Sequence, residues 1–133
     1  PYPELEAKLD ELRSLHPEKG AYGGAGWANY AATYFNDCVR FCEVTARVMV
    51  PAGLVVVVIG NNILQGVEFK TDEFFAHIAE ENGFEIQELH RVRKKRTGSS
   101  IINSSVRVGT TKGKAELYET AVELRMGAGV KRA

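Results

Sequence analysis

Six consecutive apolar residues, Leu54-Val55-Val56-Val57-Val58-Ile59, constrain this chain more than any other feature. β-Branched side chains are stiff at χ1 and favour extended backbone. The run does not alternate apolar with polar. It therefore predicts a strand buried on both faces, the kind found in parallel sheets covered by helices. Turn residues bound it, with Pro51-Ala52-Gly53 before and Gly60-Asn61-Asn62 after. The run falls far short of the roughly 20 apolar residues that cross a bilayer.

Helical periodicity surrounds this strand. Leu5, Leu9, Leu12 and Leu15 predict a short amphipathic helix stopped near Pro17. Residues 20–26, with four Gly, read as a flexible loop. A long helix is expected over 29–50, its apolar stripe running Tyr30, Tyr34, Cys38, Phe41, Cys42, Thr45, Val48 and Met49. After a loop of about ten residues, Thr71 is a suitable N-cap, followed by Asp72 and Glu73 in a first turn that favours carboxylates. Phe74, Phe75, Ile78 and Ala79 form that helix's apolar face, and Asn82-Gly83 stops it. Residues 84–93 read as a strand, 97–113 as a polar loop and 127–133 as a frayed tail. Residues 115–126 fit two patterns equally. Tyr118, Thr120, Val122, Leu124 and Met126 alternate as in a strand, while Leu117, Ala121 and Leu124 suit a helix.

The order of elements is that of an α/β fold. A strand buried on both faces needs neighbours on both edges, and few other strands are on offer. The chain reads as one partial domain, the second half of a larger sheet. Its 133 residues, 44% hydrophobic and 26% charged, suit an ordinary globular domain and exclude collagen, coiled coil and disorder.

Basic and acidic residues balance at 17 each, but they are unevenly placed. Residues 1–88 hold six basic and fourteen acidic side chains, whereas 89–114 hold eight basic and no acidic ones. Those eight are Arg91, Arg93, Lys94, Lys95, Arg96, Arg107, Lys112 and Lys114. Cations without anions, among Ser, Thr and Asn, suit contact with phosphates. The plainer reading is a solvated basic surface that balances the acidic front. Tyr22 and Trp27, in or beside the 20–26 loop, are further candidates for nucleic-acid contact.

Other signals are weaker. Gly24-Ala25-Gly26 lacks a third Gly and does not follow a strand, so it is no dinucleotide loop. Cys38 and Cys42 lie on the apolar stripe and read as buried structural thiols. His16, His77 and His90 show no ligand spacing, so no metal is expected. Two Cys make no disulfide scaffold, and no leader precedes the acidic helix-forming start. Both point to a reduced, cytoplasmic setting without membrane contact.

Residues 47–61, Arg47-Val48-Met49-Val50-Pro51-Ala52-Gly53 followed by the apolar run and Gly60-Asn61, resemble part of the class I S-adenosylmethionine-dependent methyltransferases. The similar part is their late helix, Pro-Gly turn and fifth strand. Gly60-Asn61-Asn62-Ile63-Leu64-Gln65-Gly66, Thr71-Asp72-Glu73 and Ile78-Ala79-Glu80-Glu81-Asn82-Gly83-Phe84-Glu85 are similar to DNA methylases acting on exocyclic amines of adenine or cytosine. Pro1-Tyr2 resembles the end of that family's catalytic tetrapeptide, a polar or acidic residue followed by Pro-Pro-Tyr. The usual Lys-Pro-Gly-Gly turn is Val50-Pro51-Ala52-Gly53 here, and the tetrapeptide's polar residue is absent.

The resemblance implies the C-terminal half of a Rossmann-like sheet. That sheet would have mostly parallel strands, helices on both faces and an antiparallel last strand between the fifth and sixth. On this basis 115–126 is a strand. It further implies methyl transfer from S-adenosylmethionine to a base amine, with DNA as partner. Tyr2 would stack on an extruded base and the Pro1 carbonyl would accept from its amine. Arg91, Arg93, Lys94, Lys95, Arg96, Lys112 and Lys114 would meet phosphates. The cofactor's glycine-rich loop and ribose-binding carboxylate would lie upstream, so the chain by itself is expected neither to bind the cofactor nor to be active. The alternatives are a non-catalytic nucleic-acid-binding module, and an RNA or protein-glutamine methyltransferase of the same fold. An exposed strand edge would favour self-association.

Overall fold

The structure is a computed structural model that describes residues 2–94 and 117–127. Helix α1 (Pro3–Arg13) begins on proline, whose missing N–H costs nothing in a first turn. Leu5, Leu9 and Leu12 are its buried face. A 3-10 helix (Pro17–Tyr22) follows, and α2 (Gly24–Val48) starts at once. Residues 20–26 are therefore ordered structure and not a flexible connector. Gly23, Gly24 and Gly26 serve close packing, whereas Gly20 takes a positive φ: a Cβ on Gly24 would sit 1.9 Å from the Leu12 carbonyl oxygen. The Gly24 N–H donates to the Leu15 carbonyl at 2.9 Å, which ties α2 to the end of α1.

Along α2 the buried stripe is Ala28, Ala31, Phe35, Cys38, Cys42 and Ala46. The expected stripe shares only the two cysteines with it. Elsewhere it lies one residue off, a rotation of about 100°, and Tyr30, Phe41 and Val48 are exposed. Small alanines let α2 pack closely, so the bulkier residues beside them are left outside.

Strands β1 (Leu54–Gly60), β4 (Phe84–Lys94) and β5 (Tyr118–Met126) form one sheet in the order β1-β5-β4. Residues 118–126 are thus a strand, antiparallel to both neighbours, with Val122 opposite Val57 on one side and Leu89 on the other. This is the place that the methyltransferase resemblance implies for the last strand. Among the described residues every hydrogen-bonded pair is antiparallel, in contrast to the expected mostly parallel sheet. β1 and β4 run in the same direction but β5 separates them.

β1 is also not buried on both faces. Val55, Val57 and Ile59 pack on the core, whereas Leu54, Val56 and Val58 are exposed, the last two at 54% and 61%. Among the described residues β1 has only β5 beside it. A uniform run of valines suits either environment, so its composition alone does not report the uncovered face. Among the described residues the expectation of helices on both faces is not met either. The buried residues of α1, α2, the helix over Thr71–Glu81 and β5 join a single core on one face.

The segment after β1 is a small hairpin, β2 (Asn62–Leu64) and β3 (Val67–Phe69), turned by Gln65 and Gly66 at positive φ. Helix α3 (Thr71–Glu81) follows. Thr71 is its first helical residue and not its cap. Its hydroxyl is buried, accepting from Asn62 Nδ2 at 3.0 Å and donating to the Phe69 carbonyl at 3.3 Å. No helix among the described residues is long and apolar enough to cross a membrane.

Candidate functional site

The carboxyl end of β1 opens into a cleft of about 1160 Å³. Ligands of open α/β sheets bind outside such strand ends. One wall comes from the 3-10 helix and the front of α2, which present Tyr22, Trp27, Tyr30 and Tyr34. Asn61, Asn62 and Thr71 form the floor, and Tyr118 and Glu119 of β5 close the far side. The aromatic wall follows from the rotation of α2. Ala31 and Phe35 are buried and form the inner part of the lining, and Tyr30 and Tyr34 one residue earlier form its more exposed part. Trp27 and Tyr30 meet edge to face, with ring centroids 5.8 Å apart.

A polar network holds the floor. Asn61 Nδ2 donates to Glu68 Oε2 at 2.9 Å, and the Tyr118 backbone N–H donates to Asn61 Oδ1 at 2.9 Å. Asp72 is 2% exposed. It accepts from the Tyr118 hydroxyl at 3.2 Å and from Thr120 Oγ1 at 2.8 Å. Burial, and then the Asp72 charge, push the Tyr118 phenol above its ordinary range, so it stays a donor. The Arg91 guanidinium lies 3.5 Å over the Tyr118 ring, a cation–π contact. The network joins the end of β1, the hairpin, the start of α3 and the start of β5.

Tyr2 is elsewhere. It lines a second cavity of about 720 Å³ between α1 and α3, with Lys8, Glu68, Lys70, Phe74 and His77. Its ring meets His77 edge to face at 5.2 Å, and its carbonyl accepts the Glu6 N–H at 2.9 Å. The hairpin stands between the two cavities: Leu64 and Phe69 line the first, and Glu68 lines the second. The structure therefore does not bring Tyr2 to the aromatic cleft. Pro1 lies outside the described residues, as do Lys95, Arg96, Lys112 and Lys114.

Of the basic run, Arg91, Arg93 and Lys94 lie at the end of β4, opposite Thr120, Glu119 and Tyr118. Arg93 is committed to Glu119, through Nε at 2.9 Å and Nη2 at 2.8 Å. Part of the positive stretch is thus neutralised by β5. Cys38 and Cys42 are buried, and burial raises their thiols to about 11 and about 12, so they remain protonated and non-nucleophilic. No group of three or more His, Cys, Asp or Glu among the described residues could hold a metal ion.

His90 has partners that its sequence position does not announce. Nε2 lies 2.9 Å from Glu123 Oε1, and Nδ1 lies 3.1 Å from Glu88. The Glu123 hydrogen bond, aided by Glu88, raises the imidazole above its usual value. A raised folded value means that His90 stabilises the fold fully below the unfolded value of about 6.5, and that this is lost as pH rises through the folded value. The melting temperature of the native chain should therefore exceed that of His90→Gln at about pH 5.5, and the gap should close by about pH 9. A gap independent of pH would refute this coupling.

No protein-family description matches the chain, and no curated protein matches it by sequence. Among solved structures, it is similar to a protein of Thermus thermophilus described as a candidate DNA modification methylase, at 18% identity and a TM-score of 0.55. The match covers 79% of this chain and 41% of that protein, so this chain spans about two fifths of the length of the protein it matches. The likeness is one of architecture, and on it the described residues have a methylase-like fold, with the aromatic cleft at the carboxyl end of β1.

Proposed function

We propose that this chain is the catalytic-side half of an S-adenosylmethionine-dependent methyltransferase that modifies an exocyclic base amine in nucleic acid, DNA foremost. The observation that carries the reading is the position of β5, antiparallel between β1 and β4. The likeness to a candidate DNA modification methylase supports it. In the whole enzyme β1 would continue into a mostly parallel sheet.

The described residues do not fit the cofactor. β1 leads into Asn61 and a hairpin, and the glycines that open α2 follow a 3-10 helix rather than a strand. Neither presents the strand, glycine-rich loop and helix that cradle such a nucleotide. The roles proposed for this chain are therefore on the substrate side. Tyr2 positions the base, with Pro1 accepting from its amine, and Arg91, Lys94, Lys95, Arg96, Lys112 and Lys114 meet phosphates. Arg93 contributes less, because Glu119 already holds it.

The test is transfer of labelled methyl from S-adenosylmethionine to DNA by the natural protein that contains this chain. Tyr2→Ala should lower the rate by about 10²-fold through lost positioning. RNA and glutamine-containing protein serve as competing acceptors. Absence of label in every acceptor sinks the methyltransferase reading and leaves a binding module, which the aromatic cleft and the end of β4 would also suit.

Affinity for DNA should fall steeply with salt. Release of counterions from about four phosphates gives a log–log slope of about −3 to −4. Replacing Arg93, Lys94, Lys95 and Arg96 together by Ser should flatten that slope. A slope that stays the same assigns the basic run to a solvated surface.

A further inference from the structure

We infer that the aromatic cleft binds several consecutive unpaired nucleotides, with bases stacked on Trp27, Tyr30 and Tyr22 and phosphates facing Arg91. This deepens the nucleic-acid reading above and rests on it. It concerns a surface separate from Tyr2, which lines the other cavity.

Tyr22 is 87% exposed and Tyr30 is 65% exposed, so neither belongs to the core. Both nevertheless gather with Trp27 on one wall of one cleft. The exposed rings of Tyr22 and Tyr30, with Trp27 edge-on to Tyr30, suit flat partners, and every base has a π-face. At about 1160 Å³ the cleft exceeds the roughly 300–1,000 Å³ of ordinary small-ligand sites.

The Arg91 guanidinium covers the ring of Tyr118, which lines the cleft. A cation is thus held against a residue of the cleft lining. Aromatic stacking with flanking cations is how single strands are held without regard to sequence. A duplex keeps its bases stacked on each other and offers no free faces.

The floor indicates the manner of recognition. Asn61 already uses both ends of its amide, on Glu68 and on the Tyr118 backbone. It holds the floor in place and does not read base edges. Binding is therefore sequence-tolerant.

Trp27 is the only tryptophan of the chain, so intrinsic fluorescence reports on this site directly. The probe is a twelve-nucleotide deoxythymidylate strand added to the full 133-residue chain. Saturable quenching is expected, with an oligodeoxyadenylate within a few-fold in affinity. A blunt duplex of equal length, and heparin as a polyanion without bases, should quench weakly. Tyr30→Ala and Tyr22→Ala should each weaken binding about 10-fold. Both residues are exposed, and circular dichroism verifies that the variants keep the fold.

Equal quenching by duplex, no quenching by the single strand, or unchanged affinity in both Tyr30→Ala and Tyr22→Ala would overturn the inference. Methyl transfer to DNA without quenching by the single strand would defeat this inference alone. Quenching without methyl transfer would defeat the methyltransferase reading and leave the cleft assignment standing.

Discussion

Asp72→Ala should lower the stability of the chain by about 3 kcal/mol, the sum of opposing terms. The carboxylate is buried, and its two oxygens take the hydroxyls of Tyr118 and Thr120. Removing it leaves both donors without this acceptor in the interior, each at a cost of about 1–3 kcal/mol. The first turn of α3 also loses a charge that the helix dipole favours, worth about 0.3–1 kcal/mol. Against this stands the relief of desolvating a carboxylate, which reduces the sum. A domain of this size is stable by about 5–15 kcal/mol, so the loss is a large share of the whole. Asp72→Asn keeps one acceptor and should cost less. In a double-mutant cycle, Asp72→Ala and Thr120→Val should be non-additive by about 1 kcal/mol. The measurement is urea unfolding at fixed protein concentration. A loss below about 1 kcal/mol would show that desolvation cancels the hydrogen bonds.

The same residue shows where sequence reading stops. Asp72 is two positions into a helix, and every local rule accounts for it as a dipole partner. Its actual partners are 46 and 48 residues away, and nothing in the intervening sequence announces them. Thr71 resembles a cap for a related reason: its hydroxyl bonds locally, but to the hairpin and not to its own helix. Elements with strong periodicity are legible. α1, α3, β1 and β4 fall within a few residues of expectation. β5 is ambiguous by pattern, and the methyltransferase resemblance decides it correctly.

The phase of α2 is not legible, because its buried stripe is built on alanine. A reading weighted towards large apolar residues selects Tyr30 and Tyr34, one residue away. That error conceals the aromatic cleft by assigning two of its wall residues to the core. The glycines of residues 20–26 mislead in the opposite direction. They suggest flexibility where the structure needs the absence of a Cβ. Of the candidate site, Trp27 and Tyr22 are visible in sequence as candidate nucleic-acid contacts. The polar floor is not: Asn61 and Asn62 read as a strand stop and as part of the methylase resemblance, and neither announces their bonds to Glu68, Tyr118 and Thr71.

At tens of micromolar the isolated chain should self-associate through β1. Among the described residues this strand pairs on one side only, with β5. Its other edge carries a row of backbone donors and acceptors, and Leu54, Val56 and Val58 form an uncovered apolar face beside it. Half-exposed side chains of this size gain roughly 1 kcal/mol each on full burial. Three from each of two copies supply about 6 kcal/mol, and a new ladder adds about 1 kcal/mol for each net hydrogen bond. Association costs about 4–15 kcal/mol in lost freedom. The balance favours a weak, concentration-dependent oligomer over a tight one. Light scattering should therefore give a mass above 14.7 kDa that falls on dilution. Val56→Lys with Val58→Lys should restore the monomer, because charge on an edge strand opposes pairing and both positions already face solvent. The tyrosines and Phe41 of α2 are untouched by these changes. A mass that persists in the double variant would move the contact from β1 to the exposed side of α2. A clean monomer of the unaltered chain that unfolds cooperatively would mean that the sheet needs no further neighbour, against the proposal that β1 continues into a larger one.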